Sequence, residues 1–349
     1  MSATLKTGLI WVVTLALGLA GGFAFDRLGV PLAWLLGSLG AVAIVSLMGA
    51  RLAVPPGARQ TGQIALGTAI GLTFAPEVAV FVAGFLPIMI GAAFLSIGYG
   101  VLAGRVLRRT SGVDDATAFF SSVPGGVVEM SVQAERYGGD TAPVALAQSL
   151  RILFVVVTIP PIITVLGLTG VDPFDLRVLA FDPGGLAILT ALGLAVGGLL
   201  ARRRIANAWF LGPMGVAVIV SVTGTELSGV PTELVNLAQV MMGATLGLRY
   251  RRDRVLALRG FLAPALLSTV VLIGLNVITG AAIGVAFDLP VATMALAISP
   301  GGMAEMSITA KVLHLGVPIV VAFHVVRIFL VIGFTGPIFR RFFASRGTV

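Results

Sequence analysis

Cysteine is absent from all 349 residues and histidine occurs twice. Disulfides are thereby excluded, and with them a zinc or iron–sulfur centre built from Cys and His, so no metal or cofactor site is expected. No glycine-rich loop ending in Gly-Lys-Ser/Thr is present, which argues against ATP hydrolysis. Charge is scarce as well. Asp, Glu, Lys and Arg make up 11% of the chain, less than half of the roughly 25% carried by soluble domains. So few charged groups cannot cover a water-facing surface.

Apolar residues fill the gap, at 57% of the sequence and a mean hydropathy of +1.05. They are gathered into long runs such as Leu9–Phe25, Val78–Gly104, Pro143–Leu168, Leu186–Leu200 and Phe261–Phe287. A bilayer-spanning helix needs about 20 such residues. The fold class expected is an all-α polytopic membrane protein. The formal charge of +8 is held in short clusters between the runs: Arg105/Arg108/Arg109, Arg202–Arg204, Arg249–Arg259 and Arg340/Arg341. That is the pattern of the positive-inside rule, so the basicity reflects topology and no nucleic-acid partner is expected. Lys6 ahead of the first run could mark a signal peptide, but matching segments recur downstream, and the run reads as a retained first helix.

The most informative feature is a repeat. Val123-Pro-Gly-Gly-Val-Val-Glu-Met-Ser131 returns as Ser299-Pro-Gly-Gly-Met-Ala-Glu-Met-Ser307, a shift of 300 − 124 = 176 residues. Gln63/Gln239, Gly67/Gly243, Gly71/Gly247 and Arg151/Arg327 keep that shift, and Ala33-Trp-Leu-Leu-Gly37 matches Ala208-Trp-Phe-Leu-Gly212. Residues 1–170 and 183–349 therefore read as two repeats joined by a linker over 171–182. Internal duplication of an apolar chain is a common construction of transporters.

Each half reads as about six helical segments, near 8–25, 30–49, 60–75, 78–104, 114–138 and 142–169, then 183–201, 206–224, 232–249, 257–286, 290–314 and 317–343. Basic loops follow the second, fourth, seventh, ninth and twelfth segments, and acidic or neutral loops the third, sixth, eighth and tenth. Simple crossing by every segment contradicts that alternation. It is restored if the two segments split by Pro-Gly-Gly make no net crossing. The second repeat is then inverted relative to the first, with both termini cytoplasmic in a bacterial inner membrane.

Proline and two glycines inside an apolar segment free backbone groups that survive only in protein or beside a cavity. The helix resuming after the break offers free N–H groups and a positive dipole end. Gly126, Glu129 and Gln133 fall on one helix face, and Gly302, Glu305 and Thr309 repeat this. Arg151 and Arg327 lie in apolar helices, where a charge is costly and is expected to face a partner. Candidate substrate- or ion-binding residues are thus Pro124, Gly125, Gly126, Glu129, Ser131 and Arg151, with Pro300, Gly301, Gly302, Glu305, Ser307 and Arg327. For the arginines two readings stand side by side: binding an anionic solute, or a structural ion pair with the glutamates. Gln63, Gln239, Gln148 and His324 are candidate cavity-lining positions, whereas the Gly67/Gly71 and Gly243/Gly247 stripes read as helix-packing surfaces.

The doubled Pro-Gly-Gly-x-x-Glu-Met element and the Ala-Trp-Leu-Leu-Gly pair resemble the bacterial AbrB-duplication membrane protein family, across essentially the whole chain. Members carry labels such as ammonia monooxygenase or AbrB family regulator. A monooxygenase needs metal ligands that this sequence lacks, and the small DNA-binding protein of the same name has a soluble fold. At the level of architecture, inverted repeats with broken helices resemble the cation/proton antiporter and anion transporter superfamily. The function expected is secondary transport of a small anionic organic solute coupled to H+ or Na+, without enzymatic activity, within the lipid bilayer, with a homodimer as the assembly considered. The alternative is an integral-membrane regulator or sensor influencing gene expression.

Overall fold

A computed structural model describes residues 3–168 and 179–343. Most of the expected linker, residues 171–178, lies outside the described residues, as does Arg346 near the C-terminus. The first half forms α1 (Ala3–Arg27), α2 (Ala33–Leu47), α3 (Ala58–Gly71), α4 (Pro76–Gly84), α5 (Leu86–Ser111), α6 (Asp115–Ser122), α7 (Val127–Arg136) and α8 (Thr141–Val165). The second forms α9 (Pro183–Arg202), α10 (Ala208–Val222), α11 (Thr232–Gly247), α12 (Arg252–Ala257), α13 (Arg259–Ala286), α14 (Val291–Ile298), α15 (Met303–Val312) and α16 (Val317–Phe342). There is no strand among the described residues. Six helices, α1, α5, α8, α9, α13 and α16, are long and apolar enough to cross a bilayer. α1 leaves Leu9, Val12, Val13 and Phe23 exposed, an apolar belt that suits lipid and not water.

Two segments differ from the sequence expectation. The run 78–104 is divided at Phe85 into α4 and α5, and Pro87, which lacks an N–H, takes the favourable place in the first turn of α5. The run 257–286 likewise begins only after a break at Leu258 that sets off the short α12.

The helices gather into two compact units that cut across the sequence halves. The first contains α1–α3, most of α4, and α9–α12, together with Lys311–Pro318. The second contains α5–α8, α13, α14, most of α15 and nearly all of α16. Within the first unit, glycine sets the helix spacing. A methyl group on Gly21 or Gly37 would strike the backbone of the other, and one on Gly212 would strike Gly197. Trp34 lies on Gly22 and Trp209 on Gly197. The Gly67/Gly71 stripe of α3 lies against the backbone of α10, and Gly243/Gly247 of α11 lies against that of α2. Ser38 Oγ donates to the Val240 carbonyl at 2.9 Å across the latter contact.

In the second unit α5 packs on α13, the helix at the matching place in the other half. Tyr99 and Thr279 share a 2.7 Å hydrogen bond, while Ser268 Oγ donates to the Ala103 carbonyl at 3.0 Å. Rising residue numbers in α5 thus meet falling numbers in α13, so the two matching helices run antiparallel. A core of Ile97, Phe119, Phe120, Met130, Val144, Val331 and Phe339 joins α5, α6, α7, α8 and α16. Tyr137 stacks on Phe120 and Phe343 on Phe339, which ties the aromatic part of this core to both helix ends.

Candidate functional site

Both Pro-Gly-Gly breaks lie in the second unit. α6 has eight residues and α7 has ten, roughly 12 and 15 Å of helix, each about half of a hydrocarbon core. Asp114 caps α6 by accepting from the Thr117 N–H at 2.8 Å. Thr117 Oγ1 in turn accepts from the Asp140 N–H at 2.8 Å. Asp140 follows α7 and caps α8. The start of α6 and the end of α7 therefore lie at the same end of the unit, and this pair returns to the side it entered from.

Gly126 is extended (φ −78°, ψ 149°), a conformation open to any residue, so its role is space. A methyl group on Gly126 would collide with Glu129 Oε2, and one on Gly302 with Glu305 Oε2. One on Gly125 would meet Met130, and one on Gly301 would meet Met306, within 2.6 Å. The repeated Pro-Gly-Gly-x-x-Glu-Met string is thus a packing unit. Its first glycine admits the methionine, and its second admits the glutamate carboxylate over the opening turn of the next helix. In that turn the backbone N–H groups lack helical partners, and a negative charge is favoured. Glu129 is half-buried and Glu305 is buried.

The carbonyl side of each break is closed by the following long helix. Arg151 donates from Nη1 to the Val123 carbonyl at 3.3 Å and from Nη2 to the Gly125 carbonyl at 2.8 Å. Arg327 repeats this with Ser299 at 2.5 Å and Gly301 at 2.8 Å. The fork geometry of guanidinium is what lets one side chain serve two carbonyls. Neither Glu129 nor Glu305 joins the ion pairs found among the described residues. The arginines meet backbone where the sequence suggested either carboxylate or solute. Both guanidinium groups are buried, and each leaves Nε without a hydrogen-bond partner.

The remaining candidates separate. Gln148 joins the first break, donating from Nε2 to the carbonyls of Phe120 at 2.7 Å and Val123 at 2.9 Å. His324, at the matching position, bonds Val320 of its own helix at 2.9 Å and leaves Nε2 unpaired. Ser131 and Ser307 donate to Val127 and Met303 within their own helices. Pro124 and Pro300 sit in the breaks themselves. Gln63 and Gln239 belong to the first unit, where Gln63 Nε2 donates to Asn207 at 3.5 Å and Gln239 Nε2 to Asn236 at 3.4 Å. Sequence reasoning missed the glycine–glutamate and glycine–methionine contacts. Their signal was the fixed spacing of all four residue types in both copies.

Long apolar helices, two breaks in one unit and charged groups buried at those breaks define a polytopic membrane protein organised around discontinuous helices. The chain belongs to the AbrB family, matching the family described as "Transition state regulatory protein AbrB" over residues 34–344. It is 28% identical to "Uncharacterized protein YhjN" of Bacillus subtilis (strain 168), covering 95% of this chain and 92% of that protein. It is 26% identical to "Putative regulator AbrB" of Escherichia coli (strain K12), covering 98% of this chain and 97% of the relative.

Proposed function

We propose that this protein is a secondary active transporter that moves a small organic anion together with a proton across the bacterial inner membrane. The observation that carries the reading is the doubled arrangement at the breaks: a carboxylate over each resuming helix and an arginine on each set of freed carbonyls. Discontinuous helices whose N-terminal ends meet an anionic substrate are a recurring transporter site. The antiparallel course of α5 and α13 and the returning α6–α7 pair support an inverted relation between the repeats.

The same geometry favours H+ over Na+ as the coupling ion. A sodium site at a helix break uses carbonyl oxygens, and here Arg151 and Arg327 already hold them. Glu129 and Glu305 act as tethered stand-ins for the solute. While ionised, each carboxylate occupies the positive helix end. Protonation weakens that hold, and a solute carboxylate takes its place with Arg Nε as an added donor. Solute and proton then bind together.

The experiment is solute-driven proton entry into proteoliposomes loaded with a pH-sensitive dye, using a panel of mono- and dicarboxylates and sulfonates. Acidification of the lumen by at least one organic anion, independent of sodium, is the expected result. Sodium-dependent uptake without proton movement overturns the coupling, and no response across the panel overturns the anion assignment. A regulatory role, which the family description and the name of the Escherichia coli relative carry, would then be the reading to pursue.

A further inference from the structure

A cleft of about 460 Å³ opens in the second unit between α5, α6 and the end of α16. Its walls are Phe94, Ile97, Val101, Phe119, Ile338 and Phe343, and Arg105, Arg108 and Asp115 stand at one end. Cavities of this size with apolar walls and a few charged groups are typical of small-ligand sites. From Phe94 to Arg108 the lining of α5 runs about 21 Å along the helix axis. That matches one hydrocarbon leaflet of about 15 Å, half the bilayer core, plus its interface. The polarity changes in the same order, from aromatic to basic. We propose that this cleft holds one anionic phospholipid of the surrounding bilayer, with an acyl chain along the aromatic wall and the phosphate at Arg105.

Charge decides which cation meets the headgroup. Arg108 is engaged with Asp115 at 2.6 Å. Arg105 is exposed and joins no ion pair among the described residues. The wall is preorganised, since Phe119 packs against Phe339 at 5.4 Å and against Phe343 at 5.4 Å between ring centroids. Basic pockets between membrane helices at a positive end are established sites for anionic headgroups.

Gly98 allows a test that spares the fold. It lines the cleft, and a Cβ there meets nothing within 4 Å. Gly91, on the same helix and equally open, lies outside the cleft lining. Native mass spectrometry of the delipidated full chain, titrated with phosphatidylglycerol or phosphatidylcholine, gives the readout. One phosphatidylglycerol is expected to bind at least tenfold more tightly than phosphatidylcholine. Gly98→Phe, with Gly98→Leu as a milder second variant, and Arg105→Gln should each weaken it about tenfold, and Gly91→Phe should not. Equal retention in wild type and both Gly98 variants overturns the site, and equal loss in Gly91→Phe reduces it to annular lipid. Loss of both lipids in the Gly98 variants with no effect of Arg105→Gln overturns the anionic assignment.

Discussion

The carboxylate of Glu129 occupies the space that a side chain on Gly126 would need, and Glu305 stands in the same relation to Gly302. Glycine and glutamate at this spacing therefore form one device, present once in each half of the chain. Because the obstructing atoms end a flexible side chain, an alanine at Gly126 should expel the carboxylate and leave the backbone in place. Gly126→Ala is expected to destabilise the protein by about 0.3–1 kcal/mol, the worth of a carboxylate held at a helix N-terminus. In a Glu129→Ala background most of that cost should vanish. A double-mutant cycle on detergent unfolding measures the coupling, and strictly additive effects would contradict the contact.

The arginines give a second expectation. Arg151→Met strips the Gly125 carbonyl of its side-chain donor and leaves the Val123 carbonyl to Gln148, whereas Arg327→Met strips both Ser299 and Gly301. A buried acceptor left unsatisfied costs about 1–3 kcal/mol. Each Arg→Met variant should lower the detergent melting temperature, and adding Glu→Gln in the same repeat should not restore it, because no ion pair was broken. Recovery in the double mutant would instead mean that arginine and glutamate balance one another.

Gln148 and His324 should differ despite their matching positions. Gln148 supports the carbonyl end of α6, whereas His324 bonds only its own helix. Gln148→Ala is expected to cost more stability than His324→Ala, and His324→Gln should be tolerated. Equal losses on thermal unfolding would count against the asymmetry.

The breaks themselves were legible because Pro-Gly-Gly joins a residue without an N–H to two poor helix formers, and the recurrence of the triplet 176 residues on marked it as a built feature. The glycine stripes were legible too, since small residues four apart predict close helix contact. The partner of Arg151 was not, because a backbone carbonyl has no residue-type signature. Nor was the mixing of halves within each compact unit, because periodicity reports which face of a helix is apolar and not which helix covers it. The division at Phe85 stayed hidden for a related reason: Pro87 and its neighbours are as apolar as the helix they begin.

The proposed topology rests on loop charge and on the antiparallel α5 and α13. Accessibility tags at residues 202–204 and at the C-terminus should report the cytoplasm. Tags at 172–175 and 288 should report the opposite side. Labelling of 172–175 and 202–204 from one side would rule out inverted repeats.

Proton entry driven by an organic anion, compared between wild type and the Glu129→Gln and Glu305→Gln proteins in dye-loaded proteoliposomes, bears most directly on the tethered carboxylates as the coupling groups. A neutral amide can neither release a proton nor compete as an anion for the helix end. Each variant should insert and fold normally, and solute-driven acidification should fall at least tenfold in each. Acidification at the wild-type rate in both variants would contradict a coupling role for either glutamate.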